Sequence, residues 1–510
     1  MLKNILNMPV LGPVVRSTWT WRLLRLGMLA LLLAMIAFGW HQHGIPGVKV
    51  SDPLMYSNFT TFNLWVLWMM GMVVVALAFG RSWCTICPVG WLNGVMSRFG
   101  LRREIPGWLN NFVPVTLVLV LLQLLVYLFS IHRYPDYTAI FLTWMLILAL
   151  VSGLVFRQRA FCLLLCPAGA VFSLYARLAP WQLRVKEKAV CAGCLAKPCI
   201  STEPAWRQAA LGGVRLSWLT RPEGCPVGLV PTEIEDSSAC TLCLNCVQTC
   251  CNDNVSLGGR PWPGDLNKRS LHPGETLFFL VLLGLLTANF AKVYVDLREA
   301  IFWAPEALAL SLGWQTTGFY PLAVIWVGLI FPLLLLLPGA LVYFVGQIRV
   351  ATLEKEPVPL SADTPSAALL PGFLSFLGRL ALPLLPLVLS AHIALALVKL
   401  NAKFGYLPLA FQDPSGVKSF LAINIMQTLS PPGVLVSLDI LKWVIVVILA
   451  AGFVLSALAA RVVAKSVSDG PCGSDGQRSM DVPFLLASLV SLVILSGFYG
   501  STVVEWLFVR

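Results

Sequence analysis

The chain has 510 residues, 58% of them hydrophobic and only 12% charged, with a mean hydropathy of +0.80. A soluble globular protein carries roughly twice that charged fraction, so a single water-soluble core is excluded. A net charge of +12 would suggest nucleic acid in a soluble protein, but here membrane topology accounts for it and no nucleic-acid partner is expected.

A bilayer's hydrocarbon core is about 30 Å thick, so a spanning helix needs roughly 20 mostly apolar residues. Blocks of about that length, or slightly shorter, occur at Leu23–Trp40, Phe62–Phe79, Phe112–Ile131, Tyr137–Phe156, Thr276–Phe290, Tyr320–Val345, Leu380–Val398, Leu441–Ala460 and Val482–Gly500. About nine transmembrane helices are therefore expected in an α-helical polytopic membrane protein. The Thr276 block is short, and Pro383 and Pro386 interrupt the Leu380 block. The first block follows Lys3, Arg16, Arg22 and Arg25, and "HQHGIPGVKV" after it has no small-x-small cleavage site. It reads as an anchor with its N-terminal side in the cytoplasm.

With that orientation the cytoplasmic segments hold 27 Lys or Arg and the outer segments six, the asymmetry of the positive-inside rule. The thirteen cysteines from Cys84 to Cys251 then fall on the cytoplasmic side, where thiols stay reduced and metal binding is favoured over disulfides. Three regions follow: a four-helix membrane unit at 1–180, an inserted cytoplasmic ferredoxin-like domain at 181–273, and a five-helix membrane unit at 274–510. Polar stretches at 347–370 and 461–481 look like linkers. Cys472, alone in "SVSDGPCGSDGQRS", is expected to have no role.

The first unit contains a repeat, "RSWCTICPVGWLNGVMSRFG" from Arg81 and "RAFCLLLCPAGAVFSLYARLA" from Arg159. Both place Arg three residues before the first Cys, continue Cys-Pro-x-Gly, and place another Arg (Arg98, Arg177) eleven residues after the second Cys. Two such halves about an axis along the membrane normal would bring Cys84, Cys87, Cys162 and Cys166 together. Pro88 and Pro167 can each open a helix, and helix N-termini with the four arginines are expected to favour thiolates. Four thiolates could hold a further metal or cluster. A redox dithiol and plain buried cysteines are the alternatives.

The strongest motif is Cys240-x2-Cys243-x2-Cys246-x3-Cys250, with Cys191-x2-Cys194-x4-Cys199 and Cys225-Pro226 upstream. Such runs hold [4Fe-4S] clusters, the fourth Cys ligating the neighbouring cluster in two-cluster ferredoxins. By that rule one cluster takes Cys191, Cys194, Cys199 and Cys250, the other Cys240, Cys243, Cys246 and Cys225. Zinc also uses C-x2-C pairs, but the run is tight for zinc and no His lies among the eight. Cys251, where Pro usually follows the fourth ligand, leaves that ligand ambiguous.

Of five histidines only His392 falls within a span, so haem with two axial His is not expected. His392, Lys399 and Asp439 are candidates for binding a quinone. Trp65, Trp68 and Trp144 read as core or interface-belt residues. No nucleotide-binding loop, Ser-His-Asp arrangement or carboxylate pair is discernible, so no catalytic residue is expected.

"CTICPVG", "CLLLCPAG" and "CPVGLVPTEIEDSSACTLCLNCVQTC" make residues 60–260 similar to the NapH/NosR-type membrane polyferredoxins of periplasmic nitrate and nitrous-oxide respiration. The resemblance implies a bacterial inner-membrane protein with a four-helix core and two cytoplasmic [4Fe-4S] clusters. It also implies electron delivery between a cytoplasmic donor or the quinone pool and a periplasmic redox partner, as part of a complex. NosR-type members carry a periplasmic flavin domain. The segment between the first two spans is about twenty residues, too short for one, so a flavin or haem carrier is expected to be a separate protein. The alternative function is a cupric reductase or metalloenzyme assembly factor, with Met69, Met70 and Met72 as soft copper ligands.

Overall fold

A computed structural model describes residues 4–48, 54–201, 206–211, 214–219, 224–292, 295–314, 319–353, 369–467 and 481–506. Cys472 and most of the expected linkers lie outside them. The chain is mostly helical, at 71%. Eight described helices are long and apolar enough to cross a membrane: Thr18–Gly39, Phe59–Ile86, Pro135–Val155, Pro273–Ala291, Phe319–Gly346, Phe373–Gln412, Leu438–Ser466 and Val482–Val504. They coincide with eight of the nine apolar blocks. The ninth folds as Val113–Phe129, apolar but 17 residues long, about 25 Å at 1.5 Å per residue. It stops because Ser130 takes a left-handed conformation (φ 50°).

Pro383 and Pro386 do not break their helix, which runs from Leu369 to Lys403. Proline costs a helix one backbone bond; here the Leu387 N–H donates instead to Ser456 Oγ of the neighbouring helix at 3.0 Å. Such re-satisfaction by a nearby hydroxyl is how membrane helices tolerate proline. Helix Leu438–Val467 likewise continues several residues into the expected 461–481 linker.

The chain divides into two compact units, one of Met1–Trp40, Val75–Asn110 and Ala139–Asp265, the other of His41–Val74, Asn111–Thr138 and Leu266–Arg510. In the second, Pro273–Ala291 is the most enclosed span. His272 and Glu275 close its N-terminus as a reciprocal capping box, satisfying two of the donors that a helix start leaves open. Asn58 ties two connecting loops, its Nδ2 donating to Pro414 O (3.2 Å) and Ser415 O (3.0 Å).

The first unit holds all thirteen motif cysteines. Its helices turn at Pro88–Phe99, Ala160–Leu164 and Pro167–Tyr175 before the polar segment begins. There β1 (Trp181–Val185) pairs antiparallel with β4 (Val255–Gly259), Trp181 opposite Gly259 and Val185 opposite Val255. Between Cys199 and Cys225 the intervening residues form a hairpin of β2 (Trp206–Leu211) and β3 (Val214–Leu219). Leu183, Leu244, Val247 and Val255 close over Cys246, joined by Leu6 from the start of the chain. Asn4 Oδ1 holds that start by accepting the Leu257 N–H at 3.1 Å.

An ionic knot braces β1 and the segment after β4. Arg260 pairs with Asp265, Arg184 reaches the same carboxylate at 3.1 Å, and the Ser237 N–H donates to it at 2.7 Å. Arg260 and Asp265 are both buried. Removing one partner strands the other charge, so Arg260→Met should destabilise the unit by about 3–5 kcal/mol. Thermal denaturation in detergent should show a lowered midpoint that Asp265→Leu in the same chain partly restores.

Candidate metal centres

The first repeat places Cys84 in the last turn of Phe59–Ile86 and Cys87 as the residue before Pro88, which opens the helix Pro88–Phe99. The second places Cys162 in Ala160–Leu164 and Cys166 before Pro167, its Sγ accepting the Gly169 N–H at 3.3 Å. Both prolines stand at the first helical position, where a missing N–H costs nothing.

The repeats face each other. A Cβ on Gly90 of the first Cys-Pro-x-Gly would come within 2.9 Å of Cys162 Sγ of the second, so the glycine exists to let the halves close. Cys162 responds electrostatically to Cys166, Cys87 and Cys84, and Cys166 to Cys87 and Cys84. The four thiols form one quartet.

Their arginines do less than the sequence suggests. Burial pushes Cys87 up, Cys162 well up and Cys166 up to about 12. Arg159 pulls Cys87 and Cys162 down and Arg81 does the same for Cys166, but desolvation is the larger effect. Arg177 is spent on Asp236, at 3.7 Å with both side chains buried, and Arg98 lies beside Arg22. For Cys87, Cys162 and Cys166, burial therefore outweighs the arginines and helix ends that were expected to favour thiolates.

The eight ferredoxin-like cysteines fall into two sets. Cys225, Cys240, Cys243 and Cys246 line one cavity, walled by Leu183, Val227, Leu229, Ile234 and Leu244. Burial raises Cys246 well above the ordinary thiol value, Cys240 to about 11 and Cys225 to about 12; repulsion from Cys243 is the second cause in each case. Cys199 responds to Cys250, Cys191 and Cys194, which makes the second set. Asn254 ties two of its members: its N–H donates to Cys250 Sγ (3.3 Å) and its Nδ2 to Cys191 Sγ (3.1 Å). Cys250 is half-buried and Cys251 exposed, so Cys250 is the thiol facing this set.

The residues suit iron–sulfur clusters. Sulfurs here collect N–H donors: Val227 and Leu229 on Cys225, Leu242 on Cys240, Val89 and Gly90 on Cys87. Hydrogen bonds to ligand sulfur are a main lever on cluster potential. Leu242 (φ 47°) and Leu244 (φ 63°) both take left-handed backbone, at about 1–2 kcal/mol each, to wrap the Cys240–Cys246 loop around the cavity. Thr241 Oγ1 is buried on the wall of that cavity with no hydrogen-bond partner, a donor that sulfide would satisfy. Among the described residues no three Cys, His, Asp or Glu side chains already stand as a closed metal-binding group; the thiols are gathered but not drawn in.

Sequence reasoning missed Thr85, Gly90, Thr241 and Asn254, which carry no signal of their own beyond nearness to a cysteine. His392 and Lys399 lie seven residues apart on one helix and interact, whereas Asp439 is 90% exposed and pairs with Lys442 at 3.7 Å. Met69 is exposed and Met72 buried, so the three methionines do not share one environment. Trp65 donates to Thr138 Oγ1 at 3.0 Å and Trp144 is exposed.

The family described as a 4Fe-4S binding domain matches residues 62–106 and 137–186. The chain therefore carries an iron–sulfur-binding domain, and the matched stretches contain the two Cys-Pro repeats. The uncharacterized protein MJ0749 of Methanocaldococcus jannaschii is 26% identical over 187 residues, 35% of this chain and 64% of that protein. The match thus spans a little under two thirds of that relative's length. No solved structure matches.

In metal-free protein, iodoacetamide at pH 8 should label exposed Cys251 first. Cys162, Cys166, Cys225, Cys240 and Cys246 should label last, Cys240 accelerating as pH rises toward about 11 and Cys166 and Cys225 toward about 12, because the thiolate is the nucleophile. Peptide mass spectrometry across a pH series reads the order.

Proposed function

We propose that the chain is a membrane-integral electron-transfer protein holding two [4Fe-4S] clusters. One is held by Cys225, Cys240, Cys243 and Cys246, the other by Cys191, Cys194, Cys199 and Cys250. The observation that carries the reading is the assortment of the thiols: each set is completed by a cysteine distant in sequence, the crossing pattern of two-cluster ferredoxins. Bound clusters supply one-electron chemistry. The protein's own part is to exclude water with the leucine-rich wall, supply N–H donors to sulfur, and fix the sets in one core. The quartet Cys84, Cys87, Cys162 and Cys166 holds a further metal or cluster, a reading supported by the family match over both repeats.

The orientation is nine spans with the cysteine-bearing segment in the cytoplasm of a bacterial inner membrane, supported by the 27-to-six distribution of Lys and Arg. Electrons pass between a cytoplasmic donor or the quinone pool and a periplasmic redox partner. The five-helix unit at 274–510 houses or docks the carrier that covers the remaining hydrocarbon, with His392 and Lys399 as quinone contacts. Low-temperature EPR after dithionite reduction, with iron and sulfide counts on anaerobically purified protein, tests this. Two clusters require about eight iron atoms per chain, and a filled quartet more. A colourless preparation containing zinc or no metal would overturn the proposal.

Gly90→Ala isolates the quartet. The added methyl displaces Cys162, so any iron above eight should be lost while both ferredoxin-type EPR signals persist. An unchanged iron count would show that the quartet does not bind.

A further inference from the structure

Hydrogen bonds join the Cys-Pro elements of the first unit to one thiol set in particular. Thr85, between Cys84 and Cys87, donates its Oγ1 to the Leu242 carbonyl at 2.6 Å, between Cys240 and Cys243. Arg81 Nη1 and Ser173 Oγ both donate to the Ser238 carbonyl, the latter at 3.0 Å. The Arg159 N–H donates to the Pro226 carbonyl at 3.0 Å, beside Cys225, while its Nη1 reaches the Cys84 carbonyl at 3.3 Å. Thr85, Arg81 and Arg159 are all buried. Arg81 also acts electrostatically on a member of each group, Cys166 of the quartet and Cys240 of this set.

The other set is tied differently. Asn254 holds Cys191 and Cys250, and the neighbouring Asp253 pairs at the surface with Arg16 (2.7 Å) and Lys186 (3.2 Å). Leu195, next to Cys194, is 98% exposed. One thiol set is therefore bolted to the quartet and the other opens to solvent.

We propose that the Cys225, Cys240, Cys243 and Cys246 set exchanges electrons with the Cys-Pro quartet, that the Cys191 set is the solvent-side point of exchange, and that Thr85 is the positioning residue linking set to quartet. This rests on the reading of the sets as cluster ligands and of the quartet as ligand to a one-electron transition-metal centre. One electron leaves the proximal cluster and one enters the quartet metal, or the reverse; no bond forms or breaks and no proton moves. From Cys243 to Cys84 the route is covalent except for one short hydrogen bond. The Leu242 carbonyl and Cys243 N–H are two ends of one peptide group, so Thr85 also polarises a donor beside the sulfurs.

The test uses full-length protein with both clusters loaded. Cys225→Ser and Cys191→Ser assign the two EPR signals, and potentiometric titration then reads both midpoints in Thr85→Val, Thr85→Ser and Thr249→Val. Thr249 is the control, its hydroxyl donating to Asn245 O in its own turn at 2.9 Å. Thr85→Val should shift the proximal midpoint, leave the solvent-side one in place, and slow freeze-quenched electron redistribution between proximal cluster and quartet several-fold. Thr85→Ser and Thr249→Val should match wild type. If Thr85→Val loses iron, Cys162→Ala provides the second measurement: emptying the quartet should move the proximal midpoint alone. A proximal midpoint and rate unmoved by Thr85→Val, or a shift in the solvent-side midpoint instead, would overturn the inference. Absence of cluster signals in the parent protein would sink the underlying reading before Thr85 is at issue.

Discussion

A buried sulfur at neutral pH is either protonated or balanced by a cation, and that constraint organises the first unit. Desolvation dominates the behaviour of Cys87, Cys162, Cys166, Cys225, Cys240 and Cys246. The buried arginines offset it only in part. Arg177 and Arg260 are committed to Asp236 and Asp265, which leaves Arg81 and Arg159 to face the thiols. A site that gathers this many sulfurs with so little compensating charge suits a metal, whose binding would release the protons.

The same economy explains the repeat. Cys-Pro-x-Gly places a sulfur at a helix start and a proline whose missing N–H is harmless there. In the first repeat its glycine, Gly90, is thin enough for Cys162 of the opposing half to approach, whereas Gly169 of the second meets only its own Cys162 and Cys166. The arginine three residues before each pair is a brace as well as a charge, since Arg81 and Arg159 both bond to the loops of one thiol set.

Much of this was legible in the sequence because it depends on spacing and length. Spans are visible as apolar blocks, and eight appear as helices, though Phe373–Gln412 overruns its expected block at both ends and Phe59–Ile86 runs past Phe79. The crossing of the thiol sets follows from the gaps between cysteines. What was not legible depends on three-dimensional closeness. Whether Arg177 would face Cys166 or Asp236, whether Ser456 would rescue Pro386, and whether Cys250 or Cys251 would turn inward are decided by partners far along the chain. The short helix at Val113–Phe129 turned on the conformation of Ser130, which apolar length does not encode.

Residues Asn4 and Leu6 are seated against Leu257 and Val255, and the Cys191, Cys194, Cys199 and Cys250 set draws members from either side of the β2–β3 hairpin. During synthesis, then, the core around Cys246 cannot shut until residues 255–257 have been made, because Val255 and Leu257 complete it. Any ligand held by the cysteines of this core must therefore find them gathered only after both ends of the β1–β4 pair are in place.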